Sequence, residues 1–464
     1  MFDKQVYISR RKRLLEQMKD GVILLLGNSE ASCNYRDNQY PFRQDSNFLY
    51  FFGLDKPDLA ALIDVGTGEE IIFGNDVEIG DIVWMGPQTL MADQAAEAGV
   101  GKTAPFARLA DCLKEARQKG RTIHFLPPYR NHNKILLHQL LGVGFDEMKS
   151  RASVPLIKAV VSLRLIKESC EIAEIDKACA LGYTMHVAAM KMMRLGMKEQ
   201  EIVGIMEGVA CSGGLMSSFP TILSQHGETL HNHKHDDILT DGRLCVVDAG
   251  AEVASHYCSD YTRTLPTGGK FTQKQKDVYN IVLAANDYAR EASLPGVTYR
   301  DVHMGAAKII VQGLKNLGLV HGDVDEMVAA GVQGLFMPHG LGHNMGLDVH
   351  DMEDLGEDYV GYDPDQTRAK QLGLGSLRMA RCLKVGHVIT DEPGIYFIPA
   401  LIEQWKKKGH NAQFVNFDKL ESYYDFGGIR LEDDLLITPK GARILGPARI
   451  PITVEEIENT MYSD

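Results

Sequence analysis

The chain has 464 residues, with 49 lysines and arginines against 62 aspartates and glutamates, and a formal net charge of −13. This length predicts two or three domains, and 44 % hydrophobic with 24 % charged residues is typical of a globular protein, not a disordered or fibrous one. A surface this acidic repels phosphate groups, so we expect neither nucleic acid nor an anionic membrane as the main partner.

The eight cysteines include no CxxC pair, which argues against a zinc ribbon or a thioredoxin-type site. Scattered cysteines in a long chain are typical of a reducing compartment. The N-terminal segment carries charges throughout and lacks the apolar core of a signal peptide. The longest early apolar run, residues 22–26, is too short to cross a bilayer. We therefore expect a cytoplasmic protein without a membrane segment.

Hydrophobic periodicity in residues 1–160 predicts an α/β domain. In chain order, the predicted elements are a helix at 7–18, strands at 21–27, 48–52, 59–65 and 70–73, and a connecting helix at 154–164. The segment at 48–52, Phe-Leu-Tyr-Phe-Phe, is predicted as a strand because it is a short continuous apolar run.

In residues 161–464 a pair of helices followed by strands occurs twice, which predicts two similar halves with a site between their strands. The first half has helices at 167–194 and 198–210 and strands at 221–224, 244–247 and 256–264. The second half has helices that begin after Thr272 and Thr298, and strands near Phe336 and at 388–390, 395–398 and 428–438. Residues 353–375 are predicted to form a long functional loop.

Four carboxylates lie in or at the ends of predicted strands: Asp248, Asp260, Glu392 and Glu432. A carboxylate on the inner face of an apolar strand is costly to bury unless a cation neutralises it. Taken singly, each is better explained as an ordinary turn, strand-end or surface residue. The segment 337–350 adds three histidines, His339, His343 and His350, but its glycines argue against the regular helix of an HExxH zinc site.

Taken together, the four carboxylates balance the charge of two divalent cations, with His343 as a neutral ligand. Oxygen and imidazole ligands suit manganese, and also zinc or cobalt. Shared carboxylates can hold two such ions about 3.5–4 Å apart. The sequence therefore predicts a dinuclear site.

The series Asp-Ala-Gly, Asp, His-Gly-Leu-Gly-His, Glu-Pro-Gly and Gly-Ile-Arg-Leu-Glu-Asp resembles the metal-ligand series of the pita-bread-fold peptidases, which include methionine aminopeptidase, aminopeptidase P and prolidase. Residues 40–54 are similar to the N-terminal domain of aminopeptidase P and prolidase. The resemblance implies an α/β N-terminal domain over 1–160 and an α+β pita-bread catalytic domain with two pseudo-symmetric halves over 161–464. It also implies that Asp248, Asp260, His343, Glu392 and Glu432 hold two divalent metal ions.

One interval departs from the family pattern. The spacing from Asp248 to Asp260 is one residue longer than the resemblance leads us to expect, and a β-bulge before Asp260 would absorb the extra residue.

The resemblance assigns further roles within the same site. Glu392 would carry the proton of the attacking water to the leaving nitrogen, and His339 and His350 would stabilise the oxyanion or orient the substrate. His231 would contact the proline end of the substrate, although a solvated loop is the alternative because His233 and His235 lie close by. Arg430 would hold the glutamates in register.

Two residues bear on the substrate and the assembly. Arg378 lies in a prolidase-like stretch at 375–398 and would bind the carboxylate of a dipeptide, with an ordinary surface arginine as the alternative. Trp84 resembles a residue that covers the site of a partner subunit, which implies a homodimer. The sequence thus predicts a dimetal hydrolase of Xaa-Pro dipeptides. The alternatives are an aminopeptidase P acting on longer proline-containing peptides and an inactive, metal-free binding module.

Overall fold

The computed structural model describes residues 1–462, and it divides into two compact units. The first unit comprises Met1–Arg164 and Glu353–Tyr359, and the second comprises Leu165–Met352 and the chain from Val360 onward. None of the helices in residues 1–462 combines the length and the apolar character that crossing a membrane requires.

The first unit is an α/β domain. Its helices are α1 (Lys4–Gln17), α2 (Ser46–Phe52), α3 (Ile79–Met85), α4 (Met91–Glu97), α5 (Arg108–Gln118), α6 (Asn131–Leu141), α7 (Met148–Arg151) and α8 (Val154–Arg164). Its strands are β1 (Val22–Leu26), β2 (Ser32–Tyr35), β3 (Asn38–Gln39), β4 (Ala60–Asp64), β5 (Glu70–Phe73), β6 (Thr103–Ala104) and β7 (Ile123–His124). Five of these strands form a mixed sheet in the order β6-β5-β4-β1-β7, and β2 and β3 form a separate hairpin.

The prediction of a strand at 48–52 is wrong, because these residues belong to helix α2. Asp45 caps the helix by accepting hydrogen bonds from the backbone N–H groups of Asn47 and Phe48, at 2.9 and 3.0 Å. Gly53 ends it in the left-handed conformation, at φ 65°. A short apolar run cannot by itself distinguish a buried helix from a buried strand, so the caps decide the outcome here.

The second unit contains two helix pairs and several small antiparallel sheets. Its helices are α9 (Ser169–Met192), α10 (Glu199–Gly213), α11 (Gln273–Ala292), α12 (Tyr299–Asn316), α13 (Val324–Ala329), α15 (Pro399–Lys408), α16 (Phe417–Leu420) and α17 (Val454–Tyr462), while α14 (Glu357–Gly361) has residues in both units. Its strands are β8 (Met216–Ser217), β9 (Ile222–Ser224), β10 (Leu244–Ala249), β11 (Ala251–Glu252), β12 (Tyr261–Pro266), β13 (Val388–Asp391), β14 (Gly394–Tyr396), β15 (Gly428–Arg430), β16 (Asp433–Thr438) and β17 (Gly441–Ile444).

The helix pairs predicted for the two halves are confirmed. Helices α9 and α10 pack together in the first half, and α11 and α12 do so in the second. Helix α11 begins with a reciprocal capping box: Thr272 N–H donates to Gln275 Oε1 at 2.8 Å, and Gln275 N–H donates to Thr272 Oγ1 at 3.3 Å.

Three predicted elements in the second half differ from the structure. The strand predicted near Phe336 is instead a 3₁₀ helix at Val332–Leu335. The loop predicted at 353–375 includes short helical turns, among them Glu353–Leu355. The single strand predicted at 428–438 is divided, because β15 pairs with β14 whereas β16 pairs with β13 and β17. This division leaves Glu432 between two strands.

Candidate metal centre and active site

Strands β10 and β12 bring the two predicted aspartate ligands to one face of a sheet. Asp248 lies opposite Thr262 in the antiparallel register, and Asp260 immediately precedes β12. Since alternate residues of a strand share a face, Asp260 and Thr262 lie on the face that Asp248 occupies. Both aspartates are buried, with 7 % and 5 % of their surface exposed.

The expected bulge before Asp260 is absent, which corrects the sequence-based prediction. Asp248 lies opposite Thr262, and further along the hairpin Glu252 lies opposite Cys258, so the register is the same on both sides of Asp260. The chain reverses instead through a turn at 253–257, where His256 adopts φ 69°. The Nδ1 of His256 lies 2.6 Å from Glu252 Oε1, which holds this left-handed residue in place.

His343 and Glu392 lie side by side because the segment 341–343 is hydrogen-bonded to the end of strand β13. The N–H of Thr390, in β13, donates to the carbonyl of His343 at 3.0 Å, and the N–H of Glu392 donates to that of Leu341 at 2.8 Å. A Cβ at Gly342 would lie 2.1 Å from the carbonyl oxygen of Thr390. The glycine of this motif is therefore required for the segment to lie against the strand.

The side chains positioned by these strands meet at a candidate metal site. His343 Nε2 lies 3.4 Å from Asp260 Oδ2 and 3.7 Å from Glu392 Oε1. Glu432 joins them because its N–H donates to the Thr262 carbonyl at 2.9 Å and its Oε2 accepts from Thr262 Oγ1 at 2.6 Å. One ligand atom each from Asp260, His343 and Glu432 lies within 4.8 Å of the others.

All five predicted ligands line one cavity of about 310 Å³. Burial, and then the charge of Asp248, raises the pKa of Asp260 well above its ordinary value. Burial also raises the pKa of Glu432 strongly and that of Glu392 to about 7. The Oδ1 atoms of Asp248 and Asp260 are buried without a hydrogen-bond partner. Unpartnered oxygens and crowded carboxylates fit divalent cations, and this set of oxygen and imidazole donors suits manganese, zinc or cobalt.

Arg430 holds one side of the carboxylate cluster. Its buried guanidinium donates from Nη2 to Asp248 Oδ2 at 2.5 Å and from Nε to Thr262 Oγ1 at 3.1 Å. Since Thr262 itself donates to Glu432, Arg430 links two predicted ligands through direct and indirect hydrogen bonds.

Tyr396 is a residue of the site that the sequence did not identify. Its hydroxyl oxygen accepts from Arg430 Nη1 at 2.8 Å and lies 2.9 Å from His339 Nε2. The Nδ1 of His339 lies 2.7 Å from the carbonyl oxygen of Gly340, which can only accept, so Nδ1 carries the proton and the tyrosine hydroxyl donates to Nε2. Burial, and then Arg430, lowers the pKa of His339 to about 3, so the ring is neutral. Tyr396 lies two residues after Gly394, which pairs with Arg430 between β14 and β15, so strand alternation places Tyr396 on the face of Arg430 only once this pairing is known.

The other predicted site residues are divided between the two units. The rings of His343 and His350 lie with their centroids 4.2 Å apart, and His231 and Arg378 line the cavity. Burial, and then Arg430, lowers the pKa of His231. Trp84, in contrast, lies on α3 of the first unit with 88 % of its surface exposed and is not among the residues that line the cavity.

An apolar wall completes the cavity, and no motif in the sequence indicated it. It comprises Phe219, Pro220, Ile222, Leu230 and Val349. Ile222 lies in a predicted strand, but which face of that strand lines a site depends on tertiary pairing. The wall provides a surface on which an apolar substrate side chain can pack.

Carboxylates and an imidazole that converge on such a cavity define a metal-dependent hydrolase site. The chain belongs to the metallopeptidase family M24, whose model matches residues 173–439. Residues 7–124 match the aminopeptidase P N-terminal domain. The predicted combination of this N-terminal domain with a pita-bread catalytic domain is therefore confirmed, and so is the prediction of a metallopeptidase. The inactive binding module finds no support. The family implies divalent metal ions.

Named relatives are similar over nearly the whole chain. The human Xaa-Pro dipeptidase is 32 % identical, with 98 % of this chain and 93 % of the human protein covered. A probable Xaa-Pro aminopeptidase of Aspergillus fumigatus is 30 % identical, with 96 % and 93 % covered. The structure of aminopeptidase P from Escherichia coli superposes with a TM-score of 0.80 at 28 % identity, covering 99 % of this chain and 98 % of that one.

Proposed function

We propose that this enzyme is a manganese-dependent Xaa-Pro dipeptidase with two metal ions per chain. The convergence of Asp248, Asp260, His343, Glu392 and Glu432 on one cavity supports the dinuclear centre most directly. Bound metal ions supply Lewis-acid activation of a water molecule and of the substrate carbonyl. Zinc and cobalt are the alternatives to manganese, since they favour the same donor atoms.

Glu392 is the proposed proton carrier. The bond before proline is a tertiary amide, so the proline nitrogen has no proton and must receive one as it leaves. Glu392 lines the cavity together with the other four proposed ligands, where its carboxylate would take a proton from water and pass it to the leaving nitrogen. His339 lies beside it, with Nδ1 3.7 Å from Glu392 Oε2, and is proposed to stabilise the oxyanion or to orient the substrate.

Three further residues would hold the substrate. His350, whose ring packs on that of His343, is proposed to stabilise the oxyanion or orient the substrate, and His231 to contact the proline end. Arg378 would pair with the free carboxylate of a dipeptide, because a guanidinium binds a carboxylate with two parallel hydrogen bonds.

The alternative is an aminopeptidase P that removes the first residue from longer Xaa-Pro peptides. The similarity to the Escherichia coli and Aspergillus fumigatus proteins supports it. Rates on Ala-Pro and Ala-Pro-Ala, measured with the manganese-loaded protein, separate the two. Faster hydrolysis of the dipeptide supports the dipeptidase, and equal or faster hydrolysis of the tripeptide contradicts it.

The assembly and the location are also proposals. Trp84, Val83 and Ile79 are exposed apolar residues on one helix, which supports a homodimer formed through this surface. Sedimentation velocity of the wild type and of Trp84→Ser tests the dimer. A cytoplasmic location is supported by the cysteines, since all eight are free thiols, as is typical of a reducing compartment.

A further inference from the structure

The segment 226–239 forms one wall of the cavity without regular secondary structure. It follows strand β9 and precedes β10, and it carries Leu230, His231 and His233, all of which line the cavity. Its end is paired with residues 196–200 through backbone hydrogen bonds, among them Leu239 N–H to the Met197 carbonyl at 2.8 Å. The part that carries Leu230, His231 and His233 lacks such pairing, so side-chain hydrogen bonds are needed to hold it in one conformation.

Gln225 supplies these hydrogen bonds from the start of the segment. Its side chain is buried, and its Nε2 donates to the carbonyl of Ile238 at 2.9 Å. Its Oε1 accepts from the N–H of Thr240 at 2.9 Å and from the Thr240 hydroxyl at 3.2 Å. One amide therefore ties the residue before the segment to the residues at its end.

Glu199 holds Gln225 in turn. Its Oε1 accepts the N–H of Gln225 at 2.7 Å, and its own N–H donates to the carbonyl of Asp237 at 3.0 Å. Glu199 is fully buried, and its Oε2 has no hydrogen-bond partner. Because Glu199 is the first residue of helix α10, this contact anchors both ends of the segment to a rigid element.

The cavity side of the segment is held more weakly. The carbonyl of Leu230 accepts from Arg430 Nη2 at 3.5 Å, and Asn232 Nδ2 donates to Ser224 Oγ at 2.9 Å. The position of His231, between these two residues, thus depends on where the two ends of the segment are fixed.

We propose that Gln225, held by Glu199, is a positioning residue that sets His231 against the substrate by closing the segment 226–239 at its ends. The expected effect on KM rests on the proposed peptidase function. The expected loosening of the segment 226–239 rests on the hydrogen-bond geometry alone. Gln225 touches neither the predicted metal ligands nor the cavity, so its loss alters substrate binding and leaves the metal centre intact.

The variant Gln225→Met keeps the length of the side chain and removes its hydrogen bonds. In the manganese-loaded enzyme we expect KM for Ala-Pro to rise roughly five- to tenfold, because a displaced His231 loses about one net hydrogen bond to the substrate, and kcat to change less than threefold. The manganese-induced rise in melting temperature stays at the wild-type value. The exposed Gln312→Met is the matched control and leaves all three quantities unchanged.

Amide hydrogen exchange gives a readout that does not depend on activity. Residues 226–240 should exchange faster in Gln225→Met than in the wild type or the control. An unchanged KM, an unchanged exchange rate in this segment, or a lost manganese response each overturns the proposal. If the wild type fails to cleave Xaa-Pro dipeptides, the proposed function fails, and the exchange measurement still decides this inference.

A second pair of variants covers the case in which Gln225→Met does not fold. Glu199→Gln keeps an oxygen that accepts the Gln225 N–H and should hold KM within about twofold of the wild type, while Glu199→Leu removes it and should raise KM as Gln225→Met does. Equal KM values for the two Glu199 variants contradict the proposal.

Discussion

The guanidinium of Arg430 donates to Asp248 Oδ2 at 2.5 Å, and both groups are buried. This contact places a fixed cation among the four carboxylates that the sequence predicts as metal ligands. Two divalent ions would therefore exceed the remaining negative charge by one, which leaves the centre suited to one further anionic ligand. With two divalent ions bound, the site would carry a net positive charge and would therefore attract an anionic group as well as a neutral amide.

The first prediction concerns the metal ligands. Asp260→Asn removes one negative charge from the group formed by Asp260, His343 and Glu432. The protein should therefore lose at least one bound ion and nearly all activity. Elemental analysis of the purified variant, paired with an Ala-Pro assay, measures both. Asp365→Asn, on an exposed loop, is the control and keeps both. Full metal content with wild-type activity in Asp260→Asn would refute the ligand assignment.

The second prediction concerns stability and metal. Carboxylates that repel one another in a buried cavity are relieved by cations, so manganese should stabilise the folded state by mass action. At a free ion concentration about 100 times Kd, the gain is about 2.7 kcal/mol. A melting curve recorded across a manganese titration reports it, and chelation should reverse the shift. A melting temperature independent of manganese contradicts a preformed site.

The third prediction concerns Arg378 and substrate length. Arg378→Ala should lower kcat/KM for Ala-Pro by one to two decades, since a lost charge-assisted hydrogen bond costs about 1.5–3 kcal/mol. Hydrolysis of Ala-Pro-Ala should change less, because its amide presents no carboxylate at that position. Arg378→Lys keeps the charge without the two parallel hydrogen bonds, so its kcat/KM for Ala-Pro should lie between those of the wild type and Arg378→Ala. Equal losses on both substrates would assign Arg378 a structural role.

The fourth prediction concerns the hydroxyl of Tyr396. Tyr396→Phe leaves Arg430 Nη1 and His339 Nε2 without the oxygen between them, so the free energy of unfolding should fall by about 1–3 kcal/mol. Chemical denaturation measures this change. Tyr359→Phe, at a partly exposed tyrosine, serves as the control and should differ from the wild type by less than about 0.5 kcal/mol. A loss in Tyr396→Phe no larger than in the control counts against the hydrogen-bond chain.

The fifth prediction concerns acid stability and His303. This residue is fully buried, neither ring nitrogen has a hydrogen-bond partner, and burial lowers its pKa to about 4. As the pH falls below about 6.5, the unfolded chain binds a proton that the folded chain does not, so stability decreases until about pH 4. His303→Leu should abolish up to about 3 kcal/mol of this loss.

Denaturation midpoints between pH 7 and pH 4 check the fifth prediction. The exposed His132→Leu should retain the acid sensitivity of the wild type. If His303→Leu loses as much stability over this range as the wild type does, the burial of a neutral His303 is not its cause.

Local chemistry in the sequence sufficed for part of the molecule. The capping box of Thr272 and Gln275 predicted the start of α11, because a cap depends on residues three positions apart. The shared face of Asp260 and Thr262 is likewise a local property, because the two residues are two positions apart in an extended segment. The series of acidic residues and histidines indicated the family and the residues that gather in the cavity, since metal binding restricts which donor types can serve.

Tertiary structure decided what depends on residues far apart in the chain. The helix that includes 48–52 is not such a case, because its caps Asp45 and Gly53 are neighbours in the sequence, and the apolar run alone was compatible with either a helix or a strand. The register of β10 and β12, the hydrogen bonds of Tyr396 with His339 and Arg430, and the closure of the His231 segment by Gln225 each join elements that no local pattern relates. A side chain's partners follow from how strands and loops pack, and packing depends on the burial of the whole core.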